Sequence, residues 1–98
     1  MIVEQAVITV AEGKEESFET AFAEAKSVMA SSPGCQSVQL FRCIEESDRF
    51  LLFVEWDSVE AHMEGFRKSP AFDEWREIVG PYFAYLSDMS HYRPVGAG

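Results

Sequence analysis

The run Phe50 to Trp56, FLLFVEW, is apolar on both of its alternating faces. Leu52, Val54 and Trp56 fall on one side, and Leu51 and Phe53 on the other. A strand with one wet face alternates apolar and polar residues, so this one belongs in the middle of a sheet covered on both sides. Whatever the chain folds into must cover both of those faces.

The rest of the chain supplies partners for that strand. Ile2 to Val10 is rich in β-branched residues and reads as a strand that Gly13 ends. Glu15 to Ala30 is helical in pattern, with Phe18, Phe22, Ala25 and Met29 at spacings of three and four and Glu15, Glu16 and Glu19 near its N-terminus. Ser31-Ser32-Pro33-Gly34 stops it. Ser37 to Ile44 alternates Val38, Leu40, Arg42 and Ile44 against Gln39, Phe41 and Cys43, and the polar turn Glu45 to Asp48 makes a hairpin with the Phe50 strand.

After Trp56, Asp57 or Ser58 caps a helix whose predicted buried stripe is Val59, Met63 and Phe66, with Glu60 placed for a capping box. Ser69 caps a second short helix, with Pro70 at its first position, Phe72, Trp75 and Val79 inward, and Gly80-Pro81 as the stop. Tyr85 to Val95 is compatible with a last strand.

The order β-α-β-β-α(α)-β is the split plan of a ferredoxin-like α+β domain with a four-stranded antiparallel sheet. It is expected to fill residues 1–95 as one domain, with 96–98 as a tail. Helices on one face leave Val7, Phe41, Leu51 and Phe53 on the other. Each large apolar side chain left in water forgoes about 1.5–3 kcal/mol. A homodimer with the two sheets face to face removes that cost.

Charge and cysteine content narrow the partners. A formal net charge of −9, with eight scattered basic residues, excludes nucleic acid and anionic membrane surfaces as expected partners. No apolar run approaches the roughly 20 residues of a membrane span, and no signal peptide is visible. Cys35 and Cys43 would lie about 26 Å apart on one extended strand, too far for a disulfide. Free thiols point to a reducing cytoplasm.

Several spaced elements together resemble the antibiotic biosynthesis monooxygenase family of small dimeric α/β barrels. They are Trp56-Asp57-Ser58, Glu60-Ala61-His62, Ser69-Pro70-Ala71-Phe72 and Gly34-Cys35, and the resemblance spans about residues 2–93. It implies the ferredoxin-like fold, a homodimer, and in one branch oxidation of phenolic or quinol-type substrates with no cofactor. A haem-degrading branch needs an Asn on the first strand and an axial His on the last helix; the matching positions hold Ala6 and Arg76, which disfavours that activity.

Among single residues, His62 is the candidate for chemistry. At 100° per residue it falls about 50° from the centre of the apolar stripe, at the edge of a cavity between helix and sheet. An imidazole there can take a phenolic proton near neutral pH; the alternative is a half-buried histidine bonded to a carbonyl. Phe66, Phe72, Trp75 and Tyr82 are candidate cavity walls or plain core, as is Trp56. Arg42, on an otherwise apolar face, either snorkels, pairs with a carboxylate across the dimer, or orients an anionic substrate. His91 faces either the cavity or the partner.

No ligand spacing supports a zinc site built from His62, His91 and Glu55, and Cys43 has no neighbouring base in sequence. Gly65, mid-helix, signals either close packing or room for a ligand. The leading reading is a cofactor-independent monooxygenase for a small aromatic or quinol-like molecule. The alternative is a non-catalytic barrel that binds a small apolar ligand.

Overall fold

The computed structural model describes residues 1–96. Of the expected tail, 97–98 lie outside the described residues. Four strands, β1 (Ile2–Val10), β2 (Cys35–Arg42), β3 (Arg49–Trp56) and β4 (Phe83–Tyr92), form one antiparallel sheet in the order β2-β3-β1-β4. Two α-helices, α1 (Glu15–Ala30) and α2 (Pro70–Val79), pack against one face. This is the ferredoxin-like α+β architecture, with the doubly apolar β3 in the interior of the sheet. Among the described residues no helix is long and apolar enough to cross a membrane.

Period-two alternation sets the core. Ala6, Ile8 and Val10 of β1 and Phe50, Leu52, Val54 and Trp56 of β3 turn to the helices, where Phe18, Phe22, Ala25 and Met29 of α1 and Trp75 and Val79 of α2 meet them. Phe18 sits at one hub, edge-on to Phe50 at 5.0 Å between ring centroids. The opposite face carries Val7, Leu51 and Phe41 in one cross-strand row and Gln5, Phe53 and Gln39 in the next. Phe41, Tyr85 and Tyr92 are about half exposed, at 49%, 58% and 50%.

Local structure departs from the sequence reading in both outer strands and at Ser69, and it decides between the two caps offered after β3. β4 begins at Phe83 and ends at Tyr92, because bulges against β1 at Val7/Ile8 and Thr9/Val10 let two extra residues into the strand. β2 starts at Cys35 and stops at Arg42, so Ile44 projects from the hairpin loop at 93% exposure. Ser58 is the residue that caps the chain after β3, its Oγ accepting from the Ala61 N–H at 3.1 Å. Ser69 stands at the start of α2, but its hydroxyl donates back to the Phe66 carbonyl at 2.8 Å and caps nothing.

The segment after Ser58 differs most. Ala61–Phe66 forms a π turn, closed by the Arg67 N–H donating to the His62 carbonyl at 2.8 Å. The wider turn re-aims the side chains: His62 and Phe66 are buried, whereas Val59, expected inward from spacing at 100° per residue, is 38% exposed. Gly65 points outward, and a Cβ there would touch only the Glu60 carbonyl oxygen at 3.8 Å, so close packing does not explain it.

Candidate active site

A cleft of about 910 Å³ lies between α2 and the β1–β4 half of the sheet. Its walls are mostly apolar or aromatic, among them Leu52, Phe66, Phe72, Trp75, Phe83 and Met89. Phe72 and Trp75 stack at 6.1 Å and 15°, and Phe66 stands edge-on to both. Arg67 and Arg76 lie over the Phe72 ring at 4.8 and 5.7 Å. Glu4 and His62 supply acid–base groups to this lining.

Each of those groups has a specific origin. Glu4 falls in the buried phase of β1, between Ile2 and Ala6, and is only 4% exposed. Its Oε1 accepts the Trp56 indole N–H at 3.0 Å and lies 3.3 Å from His62 Nε2. The π turn lays the His62 ring on Trp56, with centroids 5.0 Å apart and planes within 19°. The β1–β4 register sets His91 directly beside Glu4, and His91 Nε2 comes within 2.8 Å of His62 Nδ1. Glu4, His62 and His91 thus form a continuous line of titratable groups in contact.

Burial governs their charge. Loss of solvent, with His91 and the Arg67 guanidinium nearby, lowers the His62 pKa from 6.5 to about 4, so the ring is neutral at pH 7. Burial raises Glu4 above the usual carboxylate value, against the opposing pull of the Trp56 hydrogen bond and Arg67. A carboxyl that takes up its ionised form reluctantly, beside an imidazole that resists protonation, is a pair poised for transfer rather than a fixed ion pair.

The site residues read from the sequence are thus partly brought together. His62, Phe66 and Trp75 line the cleft; Trp56 lies behind His62, and His91 completes the line from β4. Tyr82 is elsewhere, packed at 6.2 Å on Phe18, and Phe83 takes the wall position beside Trp75. Arg42 lies outside the cleft as well: its carboxylate partners are Glu16 and Glu19 of its own α1, at 3.1 and 2.8 Å, and its Nε donates to the Ser47 carbonyl. Glu55 points to the opposite sheet face, where it accepts from Ser37, so it cannot join the two histidines.

Glu4 is the titratable residue of the cleft that the sequence reading lacks. Its signal is a lone carboxylate in phase with Ile2, Ala6, Ile8 and Val10, a position that burial penalises unless the group has partners.

Comparison with known proteins agrees with this architecture. A family model described as antibiotic biosynthesis monooxygenase matches residues 1–78. The Bacillus subtilis protein YczJ is 34% identical over 95 residues, which is 97% of this chain and 100% of that one. A Bordetella bronchiseptica protein assigned to the antibiotic biosynthesis monooxygenases has a crystal structure that superposes with a TM-score of 0.91 at 40% identity, covering 96% of each chain. SnoaB, a cofactor-independent oxygenase from Streptomyces nogalater, shares the fold, with a TM-score of 0.82 at 17% identity over 98% of this chain and 94% of its own. The chain belongs to the antibiotic biosynthesis monooxygenase family.

Proposed function

We propose that this protein is a cofactor-independent monooxygenase acting on a small aromatic, quinol-type molecule held in the cleft. The observation that supports this reading is the placement of Glu4 and His62 in the wall of an otherwise aromatic cavity. A hydroxyl of the bound ring, in the enol tautomer that holds one of the two hydrogens of the ring methylene, gives its proton to that pair. The resulting anion supplies electrons to dioxygen, and a carbon–oxygen bond forms. For a ring methylene the reaction balances as methylene plus dioxygen giving ring carbonyl plus water. Both C–H bonds of that carbon break, one oxygen atom stays on it as the carbonyl, and the other leaves as water with the two hydrogens. Low polarity around the anion favours electron donation, and the pair returns its proton to the departing oxygen.

The positions that the haem-degrading branch fills with Asn and His hold buried Ala6 and cleft-lining Arg76 in this chain, so haem degradation has no residue support. The same proposal includes a homodimer in a cytoplasmic setting, with no cofactor, no nucleic-acid partner and no membrane partner. Its interface would be the sheet face bearing Phe41, Leu51, Phe53 and Val7.

Oxygen uptake with a panel of reduced naphthoquinones and anthrone-type compounds tests the activity. Turnover by the native protein that is lost in His62→Ala, with folding retained, supports the proposal. Tight binding of every panel compound without oxygen consumption would replace it with a ligand-binding barrel.

A further inference from the structure

We infer that Glu4, His62 and His91 form a proton relay, in which a proton taken from solvent by His91 reappears on the Glu4 carboxyl inside the cleft. The inference rests on the proposed oxygenase for its purpose, but not for its test. Geometry supplies the two ends. His91 is half-buried on edge strand β4, with Nε2 committed to His62. Among the described residues the one buried side-chain nitrogen or oxygen without a partner is Trp75 Nε1. His91 Nδ1, which has no partner among the described residues, is therefore not fully sealed from solvent. By the same reasoning the second oxygen of Glu4 is not sealed off, and it faces the cleft that Glu4 lines.

His62 connects the ends because a neutral imidazole has one donor and one acceptor nitrogen. In the deprotonated form, His91 Nε2–H donates to His62 Nδ1, and His62 Nε2–H points at the Glu4 carboxylate. Adding a proton at His91 Nδ1 moves the Nε2 hydrogen of His91 onto His62 Nδ1, and the Nε2 hydrogen of His62 onto Glu4. The product holds one proton more, has a neutral Glu4, and leaves His62 as the opposite tautomer. No ring needs to carry two protons at the end. The 3.3 Å His62–Glu4 contact is long for a hydrogen bond and must tighten for the transfer, as catalytic contacts in empty sites often do.

The surroundings favour the neutral product over a buried carboxylate facing a charged His91. Burial raises the affinity of Glu4 for a proton and lowers that of His62. The charged and titratable groups around the line are Arg67 just after the π turn, which pulls the other way on Glu4, and Cys35 at the start of β2, whose thiol is pushed up to about 11 by burial and Glu4. Asp73, Arg76 and Glu77 face the cleft from α2. From β3 the contact is the Trp56 indole, and α1 contributes apolar Met29.

His62 and His91 are the chain's two histidines, so the imidazole nitrogens of uniformly 15N-labelled protein can be followed individually. Two-bond correlation spectra across about pH 5 to 8, where imidazoles titrate, report which nitrogen carries hydrogen. The relay requires His62 to switch from the Nε2–H to the Nδ1–H tautomer as one proton is taken up. It also requires loss of that switch in both His91→Gln and Glu4→Gln. A single His62 tautomer at every pH, a doubly protonated His62, or a switch that persists in either variant would overturn it. These spectra need no substrate, so a switch in a protein that consumes no oxygen retires the oxygenase and leaves the relay standing, and the converse result does the reverse.

Discussion

His62 Nδ1 and His91 Nε2 lie 2.8 Å apart, with room for one hydrogen between them. If both rings were protonated, two N–H groups would point at each other in a buried place, so charging one opposes charging the other. The partly exposed His91 therefore helps to keep the buried ring neutral.

That arrangement predicts a pH dependence of stability with a definite sign. Folding lowers the His62 pKa from 6.5 to about 4. Between those values the unfolded chain holds a proton there that the folded chain does not. The contribution is fully present above 6.5 and is lost as pH falls toward 4, by up to about 3 kcal/mol. Glu4 works in the opposite sense, because its raised pKa stabilises the fold at low pH and that contribution fades as pH rises. Urea midpoints should fall with acidification in Glu4→Gln, where the His62 contribution stands alone, and fall with alkalinisation in His62→Gln.

Glu4→Gln should also separate stability from activity. The amide keeps the shape and can still accept the Trp56 N–H, but it removes a carboxylate whose ionisation burial opposes. Thermal unfolding at about pH 8 is expected to show a variant at least as stable as the native protein. Oxygen uptake should drop at least about 100-fold, the scale of a lost acid–base group.

Gly34 offers a test of how the π turn is held. Its φ is +86°, and an added Cβ would come within 2.7 Å of Ala61 Cβ, the first residue of the turn. Gly34→Ala should cost about 1–3 kcal/mol. Adding Ala61→Gly should recover the part due to contact and leave the backbone part. Chemical denaturation of the two single variants and the double variant measures the split.

For the proposed homodimer, sedimentation is the measurement. Phe53→Asp places a charge on the uncovered sheet face, two residues along β3 from Leu51 and its apolar row. The native protein should sediment as a dimer at micromolar concentration and the variant as a monomer. A native monomer would leave that face unexplained.

Legibility in the sequence follows physical locality. β1, α1, β3 and α2 are readable because period and punctuation coincide in them: Phe18 to Met29 at helical spacing, Pro70 at one end of α2 and Gly80-Pro81 at the other. The bounds of β4 are not, since its bulges admit residues that alternation cannot count. His62 stands out in the sequence, but helical spacing gives the wrong reason for its orientation, because a π turn has no period to read from six residues. Neither the His91 contact nor the role of Glu4 can be read, because both depend on the β1–β4 register. Arg42 misleads for a related cause: its neighbours on the strand are apolar, but its carboxylates come from a helix more than twenty residues away.

The π turn at Ala61–Phe66 makes chain length itself a functional variable. A loop that spaces two elements tolerates insertions and deletions, and an α-helix tolerates most substitutions on its wet side. A single turn closed by a five-residue bond tolerates neither kind of length change. Removing one residue between His62 and Phe66 would let the segment relax into an ordinary α-helix and swing the imidazole about 100° relative to the residues that follow it. Every residue of the line would then still be present in the protein, with its middle member facing the wrong way. Among natural relatives, a gap at this place in an alignment would say more about lost proton transfer than most substitutions would.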